Sequence, residues 1–160
     1  RLFALSLMIT SLLISSQASA WKLYDTEHDD LYLSGGAYTH YSDSENYRGA
    51  PVLVSLEVYK PNDHFYGLAL FNNSYSQFSQ YVYYGKMFRF DNVYPGLHAK
   101  VSAGFIHGYK DEYEDNLFLN KQLGVAPAIV PGIGYHQNRW TFDLFALANK
   151  GVLLGIGYKL

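Results

Sequence analysis

The chain contains no cysteine, which excludes disulfides and thiolate metal sites. Small exported soluble domains often use disulfides to make up for a limited core, so a fold stabilised in another way is called for. Charge is sparse. Twelve basic and 14 acidic side chains leave a net charge of −2 over 160 residues, which offers no electrostatic footprint for nucleic acid. After the first 20 residues no stretch is apolar for long enough to cross a bilayer as a helix, which takes about 20 residues. The six histidines form no pair with metal-ligand spacing on a common element, so neither a metal site nor a cofactor is expected.

What the chain does have points towards a membrane. It carries 16 Tyr, 10 Phe and 2 Trp, together with 14 Gly. Tyr and Trp suit the two headgroup levels of a bilayer, and Gly suits bends and close approach inside a narrow barrel. The first segment reads as an export signal: Arg1, an apolar run from Leu2 to Ile14, and the small-x-small pattern Ala18-Ser19-Ala20. Cleavage is expected between Ala20 and Trp21, which assigns 1–20 to the signal and 21–160 to one domain. Within the charged segment Trp21–Asp29, Asp25, Glu27 and Asp29 argue against a membrane-lying helix.

Alternating stretches of about ten residues, separated by turn chemistry, are the signature of transmembrane strands. They run Leu31–Ser42, Pro51–Lys60, His64–Ser74, Phe78–Phe90, Leu97–Gly108, Val125–Tyr135, Arg139–Ala148 and Gly151–Lys159. The last is the cleanest, with Leu154, Ile156, Tyr158 and Leu160 alternating with Gly155, Gly157 and Lys159. The expected fold is therefore all-β, an eight-stranded antiparallel transmembrane β-barrel in the bacterial outer membrane. Short turns at Pro61-Asn62-Asp63, Asp91–Gly96 and His136-Gln137-Asn138 belong on the periplasmic side. The longer connections belong outside, including 109–124 with its acidic run Asp111–Asp115. In the upper barrel both faces of some strands are apolar, as around Val52–Val58 and Leu68–Leu70. This favours a packed or lipid-binding lumen over a channel, since eight strands leave room only for side chains or one slim ligand.

This topology brings polar groups to one level. His40 ends the first strand, and Asn73 and Ser74 end the third, each about ten residues above its periplasmic start. A histidine can act as a general base, and a hydroxyl can be a nucleophile or polarise a carbonyl. The same residues can equally satisfy one another in a barrel interior.

Several motifs, in order, resemble the lipid A palmitoyltransferase family of outer membranes. They are Asp30-Leu31-Tyr32 followed by His40, then Tyr47-Arg48-Gly49-Ala50-Pro51, then Phe71-Asn72-Asn73-Ser74-Tyr75, then Gly85, then Pro127-Ala128-Ile129-Val130-Pro131. The resemblance runs collinearly over roughly residues 30–160. It implies an enzyme that takes a palmitoyl chain from the sn-1 position of a phospholipid and transfers it to a hydroxyl of lipid A in the outer leaflet. Carried over by position, His40 is the base and Ser74 the essential hydroxyl. Asn73 stands where the family has Asp, and it can carry neither a proton nor a charge. Gly85 would leave a gap where an acyl tail ends, or would simply relieve crowding. Pro51 and Pro127 donate no ladder hydrogen bonds, so they would open lateral gates for lipid, or merely mark strand ends.

The partners this reading implies are a phospholipid donor and a lipid A acceptor, met by a monomer. Two alternatives compete with it. One is a non-enzymatic small barrel, favoured by Asn73 in place of Asp. The other is a lipid A deacylase, disfavoured because no Ser follows Ser102.

Overall fold

The computed structural model describes residues 23–41, 52–73, 75–110, 118–148 and 151–160. The expected export signal, Pro51, Ser74 and the acidic run 111–115 lie outside the described residues. Eight strands appear in chain order: β1 (Asp30–His40), β2 (Val52–Tyr59), β3 (His64–Asn72), β4 (Phe78–Arg89), β5 (Leu97–His107), β6 (Val125–Gln137), β7 (Trp140–Leu147) and β8 (Gly151–Lys159). One helical turn, α1 (Asn120–Leu123), precedes β6. Each strand pairs antiparallel with its sequence neighbours, and β8 returns to β1, from Tyr32↔Lys159 up to His40↔Gly151. The result is the expected closed eight-stranded barrel.

The periplasmic turns follow from their residues. Asp63 and Asn138 sit at φ 64 and 56, a left-handed conformation that short polar side chains tolerate. Gly96 has φ 88, and a Cβ there would run into the carbonyl of His136, so the β4–β5 turn needs glycine at that point. The segment at residues 23–29 folds back onto the same end of the barrel. Lys60 Nζ donates to the Leu23 carbonyl at 2.9 Å and to Asp29 Oδ2 at 2.6 Å. This carboxylate holds the Lys60 ammonium above its ordinary pKa. The Glu27 backbone N–H, donating to Asp25, holds that exposed carboxyl below its ordinary range.

Alternation fixes the two faces. Outside, Val54, Leu68, Val82, Phe105, Ile129 and Leu154 are each 41–68% exposed. A continuous apolar girdle of this extent is far beyond what a soluble surface carries, and it fits hydrocarbon. At the periplasmic edge Trp140 meets Tyr158 edge-on at 4.8 Å, and Arg139 lies over the Tyr158 ring, as an interfacial aromatic belt requires. Inside, Tyr59 stacks on Phe65 (4.9 Å), Tyr81 stacks on Tyr83 (4.7 Å), and Phe65 meets Tyr83 edge-on. The lumen is packed with side chains, and aromatic rings form much of that packing.

Candidate functional site

The external rim brings together residues from β1 and β3. Tyr38 and His40 lie two apart and share the inward face; their rings meet edge-on at 5.4 Å. The Tyr38 hydroxyl reaches across to β3 and donates to the Asn72 carbonyl at 2.8 Å. His40 is thus joined through Tyr38 to the end of β3, which leads directly into Asn73. Asn73 is buried, at 2% exposure. Its Oδ1 accepts from the N–H groups of Tyr75 (2.9 Å) and Gln77 (3.0 Å), and its Nδ2 donates to Gln77 Oε1 at 3.3 Å. These bonds all lie within one bend, so Asn73 shapes the chain around position 74, as an Asn side chain in a turn commonly does. His107 points outward and is exposed, away from this cluster.

Among the described residues, one seam of the closed barrel is only partly paired. β6 pairs with β7 only from Gly132↔Phe145 to Gln137↔Trp140. It pairs with β5 from Leu97↔Tyr135 up to His107↔Val125. Among the described residues, 125–131 of β6 therefore have no ladder partner on the β7 side, which amounts to about 23 Å of strand at roughly 3.3 Å per residue. The amide of His136 donates to the Gly96 carbonyl on the β5 side. Because a residue's N–H and C=O point the same way and alternate along a strand, even-numbered residues of β6 address β5 and odd-numbered ones address β7. Pro127 and Pro131 are odd. Of the four residues that would present amides to the gap, two have none to present.

That matters in a membrane, where an open sheet edge leaves backbone groups without partners at a cost of several kcal/mol each. Two prolines halve the unmet donors. Pro127 lies on this stretch of β6. Ala126 and Ala128 are the small inward side chains behind it, and the Phe145 ring lies against Gly132 at its lower end.

Gly85 is buried on the inward face, and its notch is filled. A Cβ there would meet the Val101 carbonyl and lie within 2.5–2.8 Å of the Phe65 ring. The glycine makes room for Phe65, which is the crowding-relief alternative.

The lower lumen departs from the apolar interior expected from the sequence. Lys100 Nζ lies 2.8 Å from Asp143 Oδ2, and His98 Nε2 lies 2.7 Å from Asp143 Oδ1. The Thr141 hydroxyl also donates to Asp143. Glu57 accepts from the hydroxyls of Tyr83 (2.8 Å) and Tyr59 (3.0 Å). Lys100 sits 5.3–6.0 Å from the ring centres of Tyr59, Phe65 and Phe145. Glu57, His98, Lys100 and Asp143 are 2–6% exposed. The signal for this layer is present in the sequence: each residue occupies the inward phase of its strand, beside Ser55, Ser102 or Thr141. Among the described residues no group of three or more His, Cys, Asp or Glu side chains could hold a metal ion.

A closed eight-stranded barrel with an apolar girdle and a packed lumen defines a small outer-membrane β-barrel. No protein-family model matches the chain, and no curated protein is similar to it. Among solved structures, it is similar to the Yersinia pestis outer membrane protein Ail in a phospholipid bilayer nanodisc. Identity is 14% over 82% of this chain and 99% of that one, with a TM-score of 0.49. A protein of unknown function from Clostridium acetobutylicum aligns over 82% of this chain and 97% of its own, at 12% identity and a TM-score of 0.18. Neither likeness bears on function.

Proposed function

We propose that this barrel is a phospholipid:lipid A acyltransferase of the outer leaflet. The observation that carries the reading is the unpaired, proline-bearing edge of β6. A packed barrel that serves only as a wall has no use for such a break, whereas an enzyme acting on membrane lipids needs a lateral way in. The reading assigns His40, held against Tyr38 at the external rim, the proton of the attacking lipid A hydroxyl. That oxygen adds to the phospholipid sn-1 ester carbonyl. The tetrahedral intermediate then expels the glycerol oxygen, which takes the proton back from His40 and leaves as lysophospholipid. Ser74 is assigned to the reacting carbonyl as hydroxyl donor, and Asn73 is assigned to positioning Ser74.

A second reading, a barrel without lipid chemistry, is favoured by the filled notch at Gly85 and by an Asn73 side chain spent on its own bend. Mass spectrometry of lipid A from cells with and without the protein separates the two. The expected result is a gain of one palmitoyl mass that disappears in Ser74→Ala and falls steeply in His40→Ala. Loss of an acyl chain would instead indicate a deacylase. Unchanged lipid A, with the barrel folded and phospholipid supplied to the outer leaflet, would establish the second reading.

A further inference from the structure

Two cavities of the lumen lie on either side of the ionic layer. The lower cavity, about 140 Å³ in volume, opens at the periplasmic mouth, and Tyr32, Arg89, His98, Lys100 and Lys159 are among its walls. The upper one is about 30 Å³, and its walls include Ser34, Ser55, Glu57, Asp143, Phe145 and Gly155. A water needs roughly 10–15 Å³ and two or more polar partners, so the upper cavity has room and partners for water. Lys100 and His98 face the lower cavity, and Asp143, which binds both, faces the upper one. Asp143, held by Lys100, His98 and the Thr141 hydroxyl, stands between the two spaces on this side of the lumen. The aromatic rings around Lys100 close the rest.

We propose that the Lys100–Asp143 pair is a closed gate in a narrow polar path, admitting water and small ions from the periplasm to the internal chamber when the pair parts. Apolar side chains would seal the lumen more cheaply, because burying two charges carries a desolvation cost that their attraction often only matches. A pair between two strands that are not neighbours, β5 and β7, can separate without breaking any ladder bond. An ammonium or carboxylate freed by that separation draws water to itself. This inference does not rest on the acyltransferase reading.

The absence of native cysteine makes single-site labelling a clean test. Ser55→Cys places a thiol on the chamber wall, and the probe is a small, charged, water-soluble methanethiosulfonate applied to the barrel folded in vesicles. With the pair intact, labelling is expected to be slow. Adding Asp143→Asn leaves Lys100 buried without a counter-charge, and labelling should rise by about tenfold or more. Should that variant not assemble, Lys100→Met carries the same expectation. The double change Lys100→Met with Asp143→Leu refills the layer with apolar groups and should label as slowly as the parent. Equal rates with and without the pair would overturn the proposal. So would rapid labelling of the apolar double variant, because access would then follow loosened packing and not the charge pair.

Discussion

At the scale of single residues, the interior is decided by which side chain occupies which volume. Phe65 fills the notch left by Gly85, and the ring is 2% exposed, with no free space to move into. Gly85→Ala is therefore expected to destabilise the barrel by about 1–3 kcal/mol through overpacking, read from urea unfolding in phospholipid vesicles. Phe65→Leu in the same chain should recover part of the loss. A neutral Gly85→Ala would mean that the notch is open, as an acyl pocket requires. The ionic layer obeys a different rule at the same scale. Removing one partner of a buried pair strands the other charge, whereas replacing both with apolar groups often costs nothing.

At the scale of elements, the informative feature is the difference in length between β6 and β7. β6 runs from Val125 to Gln137 and β7 only from Trp140 to Leu147, so β6 continues past the point where the pairing ends. The open seam is checked by engineered disulfides. Ile133→Cys with Leu144→Cys joins two residues that are partners in the ladder and should oxidise readily. Pro131→Cys with Ala146→Cys lies one step further along the same two strands, beyond the last pair, and should resist oxidation if the Cα atoms stand more than about 7 Å apart. Gel mobility before and after reduction reads both, and ready closure of the second pair would mean that the seam is shut.

The strands themselves were legible in the sequence. Period-two patterning and turn residues put each one within a residue or two of its observed ends wherever those ends are described, because one face must meet lipid along its whole length. The seam was less legible. Pro127 hinted at it, but whether a proline faces a partner or a gap depends on the phase and length of the neighbouring strand.

At the scale of the whole molecule, the barrel turns the usual globular arrangement inside out, with an apolar exterior around a lumen that is polar in its lower half. If that exterior meets hydrocarbon, Leu154→Lys, on the outward face of β8, should cost about 2–4 kcal/mol near the bilayer midplane. Equilibrium folding into vesicles measures it. A cost near zero would mean that this face meets water. The external rim and the ionic layer occupy opposite ends of the same lumen, joined by packed aromatic rings. A change at one end can therefore be tested for effects at the other.

By itself the sequence determined the number of strands, the outward apolar residues of each, and the positions of the turns between them. All of these follow from local alternation and from turn chemistry, which involve only near neighbours in the chain. Only the tertiary structure decided that Glu57, Lys100 and Asp143, on three different strands, share one layer of the lumen. It also decided that the Phe65 ring packs against Gly85, and that among the described residues β6 runs past its last pair with β7 at Gly132. Each of these depends on how far one strand slides against the next as the sheet closes. That stagger is a property of the whole barrel, and no single strand encodes it.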